Sequence, residues 1–291
     1  MNPHEARVAL RAAIAGDEVI VAPGVFDGIS ASLVRRIGFT AAYMTGAGVA
    51  ASGFGLPDIG LLTQTEMVER ARVLVRTLGD IPLIADADTG YGAPLNVIRT
   101  VREYEAAGVA AIQLEDQAFP KKCGHLPDKE LIDTADFVTA LDAALDARSD
   151  PELVVIARTD ARGPLGITAA IDRANAYADA GADVIFVEAP QGVEEIEQIA
   201  REVSAPLLIN LVLGGLTPIE STARLRELGY SIAIHPSLPL GVATLSMLTG
   251  LAELLGRDPS PWLPSKPAEF FDLVGMAEWS ELGERFRLQG A

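Results

Sequence analysis

One junction recurs along this chain and restricts its fold more than any other feature: a helical segment, a glycine, then a short apolar run. It reads "EAAGVAAI" at 105–112, "ADAGADVI" at 178–185 and "RELGYSIAI" at 226–234. Glycine ends helices because it enters the left-handed region without a Cβ penalty. Gly38, Gly79, Gly108, Gly181 and Gly229 all stand where a helical pattern stops. Eight apolar runs can be read, at 19–22, 41–45, 83–86, 111–115, 154–158, 184–188, 207–210 and 231–234. They are mostly continuous rather than alternating, as strands covered on both faces are. Helical patterns separate them at 28–37, 64–78, 94–107, 135–147, 168–180, 193–203, 218–228 and 240–255. Eight such β/α units predict a closed (β/α)8 barrel of the TIM type, which typically needs roughly 250 residues. An open doubly wound sheet would carry a glycine-rich phosphate fingerprint after its first strand. Here that place reads "APGVFDGIS", without the spacing.

The 291 residues are therefore read as one domain, with the barrel over about 16–256 and a C-terminal arm over about 257–291. Residues 3–15 look like an extra N-terminal helix. The arm carries Phe270, Phe271, Trp279 and Phe286, too many aromatics for a free tail, so it is expected to dock on this barrel or on a neighbour's. A formal charge of −17 disfavours nucleic acid and anionic membrane as partners. It leaves room for a small anionic substrate, because a local cluster of cations reverses the field inside a cleft. No apolar run reaches the roughly 18 residues of a membrane span. A single cysteine makes no internal disulfide, and a cytoplasmic location is expected.

The polar residues gather at strand C-terminal ends: Thr45 and Gly46; Asp86 and Asp88; Glu115 and Asp116; Arg158, Thr159 and Asp160; Glu188; Asn210; His235. In a barrel these converge on one face, the one that carries the active site. In "DADTGYG", Asp86 and Asp88 are two apart and face one side of an extended segment. Paired carboxylates want a cation between them, and hard oxygen ligands suit Mg²⁺, with Mn²⁺ as a substitute. Asp58 and Glu115 are available as supporting acceptors. A long connection at 117–133 contains "PKKCGH", and connections of that length are usually lids or binding loops. Lys121, Lys122 and His125 flank Cys123 there, and positive neighbours make a thiol a competent acid. Gly124 lets backbone approach a ligand. One cysteine and three scattered histidines do not make a zinc site. His235 reads equally as cleft-lining or rim, and Tyr43 as core or mouth.

The motifs "PGVFDGISA", "YMTGAGVAASGFGLPDIG", "IADADTGYG", "IQLEDQAFPKKCGHL", "IARTDAR", "FVEAP", "LLIN" and "PIESTARLRELGY" occur in this order. With them the chain resembles the isocitrate lyase / phosphoenolpyruvate mutase superfamily over about residues 5–255. The resemblance implies Mg²⁺, an enolate-forming carboxylate substrate, and a homotetramer whose C-terminal helices swap between neighbours. It implies that Thr45, Gly46 and Ala47 hold a substrate carboxylate and that Asp86 and Asp88 position the metal, supported by Asp58 and Glu115. By the same resemblance Arg158 would clamp the oxo-acid part, while Gly124, Glu188 and Asn210 would complete the substrate cavity. Cys123, assisted by His125, would protonate the enolate, and Tyr43 would be the candidate base. Members with this cysteine loop are mainly carbon–carbon lyases of 2-hydroxy di- and tricarboxylates of the dimethylmalate and methylisocitrate kind. A carboxyphosphonoenolpyruvate-type mutase or an oxaloacetate hydrolase on the same scaffold is the alternative, and a non-enzymatic binding protein is disfavoured. The methylisocitrate-cleaving members place an arginine after strand eight for a third carboxylate. This chain has Gly241 there, which points to a dicarboxylate unless Arg162, Arg224 or Arg285 reaches in.

Overall fold

The computed structural model describes residues 2–124, 129–264 and 267–286. Eight parallel strands close on themselves: β1 (Ile20–Val25), β2 (Ala42–Met44), β3 (Leu83–Asp86), β4 (Ala111–Glu115), β5 (Val154–Thr159), β6 (Val184–Val187), β7 (Leu207–Asn210) and β8 (Tyr230–His235). Each pairs with the next, and β8 returns to β1 with Ile20 opposite Ile232 and Pro23 opposite His235. Helices cover the outside, and the expected glycines Gly38, Gly79, Gly108, Gly181 and Gly229 all adopt positive φ.

Closure creates two apolar cores, which is why the strand runs are continuous. One strand face packs on the helices through Val25, Met44, Leu83, Ile112, Val155 and Ile209. The other fills the barrel with Ile20, Ala22, Tyr43, Ile84, Ile156, Phe186, Leu208 and Ile232. The first helix, Pro3–Ile14, plugs the barrel floor with Leu10 and Ile14. Asn2 and Glu5 form a reciprocal cap at its start, and buried Arg7 ties it to Asp150 at 2.8 Å.

The boundaries depart from expectation where local chemistry outweighs the apolar pattern. The helix expected at 218–228 begins only at Thr222, because the Ser221 hydroxyl accepts from Arg224 N and fixes the start there. Residues 211–221 become a loop over the barrel mouth. Thr45 caps a short turn, Gly46–Val49, that runs into a wider helical turn over Ala50–Phe54, neither of them expected. In the arm, Phe271 is buried and stacks edge-on with Phe270.

Candidate active site

Strand residues two apart point to the same side. The parity that sends Ala41, Ile84, Ala111, Ile156, Phe186 and Leu208 into the barrel core therefore sends Tyr43, Asp86, Gln113 with Glu115, Arg158 with Asp160, Glu188 and Asn210 to its upper layers. The core turns from apolar to ionic at the strand ends. Above it opens a cavity of about 570 Å³ that reaches from Tyr43, Thr45 and Asp86 to Arg158, Glu188 and Asn210. The same parity turns Asp116 outward, where it binds Thr159, Arg173 and Tyr177 beneath the helices. It turns His235 outward too, so β8 meets the cavity through Ile234 and Pro236.

The deepest part of the mouth is acidic. Asp86 accepts from Gly46 N at 3.1 Å, from Asp88 N at 3.1 Å and, more distantly, from Gln113 Nε2 at 3.4 Å. Gly46 is close enough that a Cβ would stand 2.6 Å from the Asp86 carboxylate. The Gly46 N–H expected to hold substrate is therefore taken by Asp86, while Thr45 and Ala47 line the cavity. Asp88 sits at φ +46° and Tyr91 at +61°, left-handed conformations that cost about 1–3 kcal/mol each in non-glycine residues. Burial raises the Asp88 pKa to about 6, with Lys121 opposing and Asp86 and Asp58 adding to the rise. Burial likewise holds Glu115 well above the carboxylate range despite Arg158. Its Oε1 is buried without a hydrogen-bond partner.

Lys121 corrects the sequence reading. Rather than flanking the thiol, its buried ammonium reaches into this cluster and pairs with Asp58 and, at 2.7 Å, with Asp88. Burial pulls its pKa down, but the carboxylates win and keep it charged. Even with Glu115 left out as held protonated, Asp58, Asp86, Asp88 and Glu188 outnumber Lys121 and Arg158. A divalent cation fits a cluster with that surplus and with an orphaned buried carboxylate oxygen. Asp86 and Asp88 are the side chains that would hold it. Asp58 is drawn off by Lys121, and Glu115 stands behind them beside Arg158 at 3.4 Å. Among the described residues no three acidic, histidine or cysteine side chains could enclose a metal on their own. Mg²⁺ is usually held by one or two carboxylates with waters and substrate oxygens, and Asp86 and Asp88 would supply the carboxylates.

Tyr43 points to the mouth and donates to Gln113 Oε1 at 2.6 Å. Burial, then Asp86, Glu115 and Glu188, push its pKa far above the ordinary phenol range, while Arg158 pulls the other way. In this arrangement the expected base is a donor. Arg158 is gripped by Asp160 at 2.8 and 3.0 Å and lies 3.5 Å from Glu188. Asn210 donates to both Glu188 oxygens at 3.2 and 3.3 Å.

The connection after β4 starts and ends as a paired stem, with Gln117 bridged to Leu131 and Ala118 N donating to Glu130 O at 2.8 Å. Gln117 also clamps the Lys122 backbone through two bonds of 2.9 Å. Cys123 N donates to the Asp58 carbonyl at 3.1 Å, and the half-buried Cys123 lines the cavity. Gly124 lies against the clamp, where a Cβ would be 2.4 Å from Arg158 Nη2 and would collide with Glu188. His125 lies outside the described residues. Gln113 and Lys129 escaped sequence reading as site residues, and Asp160 was placed on the active-site face without a role. For Gln113 and Asp160 the signal was strand parity: Gln113 is polar at an inward position, and Asp160 follows Arg158 by two.

A parallel barrel with an ionic mouth and a long connection folded over it has the architecture of the (β/α)8 enzymes, which keep their chemistry at this face. Comparison with known proteins refines the class. The model of the phosphoenolpyruvate phosphomutase family matches residues 10–255. The 2,3-dimethylmalate lyase of Eubacterium barkeri is 45% identical over 95% of this chain and 96% of its own. The 2-methylisocitrate lyase of Aeropyrum pernix is 42% identical over 94% and 89% respectively. A crystal structure of 2,3-dimethylmalate lyase superposes with a TM-score of 0.83 at 42% identity, covering 96% of this chain and 95% of that one. The chain belongs to the phosphoenolpyruvate mutase / isocitrate lyase superfamily.

Proposed function

We propose that this chain is a Mg²⁺-dependent carbon–carbon lyase. Its substrate would be a 2-hydroxy dicarboxylate with an apolar substituent, cleaved to an α-oxo acid and a second carboxylate. The observation that carries this reading is the uneven charge of the cavity wall. All the charged residues that line the cavity, Lys121, Lys122 and Arg158 with Asp58, Asp86 and Glu188, come from the chain before β7. The lining that follows β7 is Val212, Leu213, Leu216, Leu240, Val242 and Leu245, with Gly241 among them and no charged side chain. The Gly241 N–H is already bonded to the Ser237 carbonyl at 2.9 Å. Arg162 pairs with Glu195, Arg224 with Glu197 and Glu227, and Arg285 stacks over Phe286, so none lines the cavity. The names of the two relatives, for a dimethylmalate and a methylisocitrate, frame the choice.

In the cleavage the hydroxyl proton leaves and the C2–C3 bond breaks. Its electron pair passes into the enolate of the departing carboxylate, and an acid protonates the enolate carbon. The metal, when bound, supplies a Lewis acid for the developing oxo acid. Arg158, aimed by Asp160, holds the adjoining carboxylate. Cys123 delivers the final proton. Tyr43 is the proton acceptor only when positive charge offsets Asp86, Glu115 and Glu188, the direction in which Arg158 already acts.

Under saturating Mg²⁺, 2,3-dimethylmalate should be cleaved with at least about 100-fold higher kcat/KM than 2-methylisocitrate. Desolvating a carboxylate against an apolar wall without a cation costs several kcal/mol, and each ~1.4 kcal/mol is tenfold. A preference for methylisocitrate would overturn the dicarboxylate assignment. The half-buried free thiol suits a reducing compartment, and among the described residues no helix is long and apolar enough to cross a membrane.

The helix Leu238–Leu254 buries only Ala252 and exposes Val242, Met247, Leu251 and Leu254. So continuous an apolar face marks a protein contact. A homotetramer with swapped C-terminal helices is the proposed occupant. Light scattering should give four times the 30.6 kDa chain mass, and the mass of one chain would refute it.

A further inference from the structure

Lys129 has no part in the reaction as written, yet it is buried, with a side chain only 4% exposed. A buried ammonium persists only if it is paired and hydrogen-bonded. Its Nζ donates to the Gly124 carbonyl at 2.5 Å and to Asp160 Oδ1 at 2.7 Å. That same Oδ1 accepts from Arg158 Nη2 at 3.0 Å, while Oδ2 accepts from Arg158 Nε at 2.8 Å. One carboxylate is thus shared between the lysine and the substrate clamp. Gly124 closes the circuit from the other side, with its Cα face against the Arg158 guanidinium and Glu188. The residue before it is Cys123, whose backbone is fixed to the Asp58 carbonyl.

We propose that Lys129 is a positioning residue that sets the proton donor and the substrate clamp in register, through Gly124 on one side and Asp160 on the other. Without the ammonium the Gly124 carbonyl loses its donor, and the connection loosens on the C-terminal side of Cys123, whose N–H stays bonded to the Asp58 carbonyl. Asp160 loses one of its two counter-charges. Arg158, which also has Glu115 at 3.4 Å and Glu188 at 3.5 Å, gains alternative partners and turns from its aim. Both changes follow from one side chain that never touches substrate. A lysine that merely completes a buried ion pair would behave otherwise, because removing it leaves a buried carboxylate short of a partner and lowers stability without moving the clamp or the thiol.

The inference rests on the lyase reading for its kinetic part only. Because Cys123 is the chain's one cysteine, its alkylation by iodoacetamide reports on this connection without any substrate. Lys129→Met should be alkylated about tenfold faster than wild type. Its kcat on 2,3-dimethylmalate should fall about tenfold or more, as small misplacements of reacting groups do, and its KM should rise several-fold. Lys129→Arg, which restores the cation, should recover most of each. A purely structural role would lower the melting temperature and the active fraction but leave KM and the alkylation rate of folded protein unchanged, and that result overturns the proposal. If Lys129→Met does not accumulate folded, Lys129→Gln is read by the same criteria. If wild type cleaves no substituted malate, the lyase reading fails while the alkylation rates still decide the role of Lys129.

Discussion

Replacing Cys123 with serine should lower kcat by about two to four orders of magnitude and leave KM nearly unchanged, the pattern of a lost general acid. The thiol lines the cavity from a backbone pinned to the Asp58 carbonyl, one residue before the glycine that touches Arg158 and Glu188. Serine keeps that backbone and nearly that shape. What changes is acidity: a thiol gives way to a hydroxyl, a far weaker acid, facing the enolate carbon. The groups that bind substrate in the proposed reading, Arg158 above all, are untouched, so the loss falls on the chemical step. Water entering the mouth would quench part of the enolate and supply the residual rate. Steady-state kinetics on 2,3-dimethylmalate decide it, and a serine variant with wild-type kcat would make Cys123 a bystander.

The fold was legible because the β/α repeat states itself locally. Each apolar run lies near its strand, within a few residues, since a strand buried on both faces has no polar position to blur its ends. The glycines mark the helix ends for a steric reason that owes nothing to tertiary context. The site was legible in part for the same reason: Asp86, Glu115, Arg158, Glu188 and Asn210 are polar residues ending apolar strands, and parity alone carries them to the mouth. Lys121 and Lys129 were not legible in their roles. They lie on a long connection whose path depends on what it folds against, so sequence neighbours such as Lys121 and Cys123 diverge, one ammonium going down to Asp58 and Asp88 and the thiol staying at the rim. The helix start at Thr222 was hidden because Ser221, the capping residue, sits within a pattern that reads as helical from Pro218.

The largest expected loss comes from removing Asp86 and Asp88 together. Asp86→Ala with Asp88→Ala should reduce turnover more than a thousandfold, as should a chelator acting on wild type. The mouth gathers more carboxylates than cations, Asp88 is pushed up to about 6 by burial, and Glu115 keeps an oxygen without a partner. Cleavage adds a developing oxo acid and an enolate to that surplus. A bound divalent ion supplies several kcal/mol against it, and each ~1.4 kcal/mol is a factor of ten. Lys121 is a poor substitute because its ammonium is already engaged by Asp58 and Asp88. Binding has its own readout, apart from activity. An ion present at one hundred times its dissociation constant stabilises the folded state by about 2.7 kcal/mol, roughly 5 °C for a chain of this size. Mg²⁺ should raise the wild-type melting temperature by that order and leave the double variant unmoved. Full turnover by the double variant in chelator would refute the metal requirement. An equal Mg²⁺ shift in both proteins would place the ion elsewhere, and the paired carboxylates would then be no more than the acidic wall of the cavity.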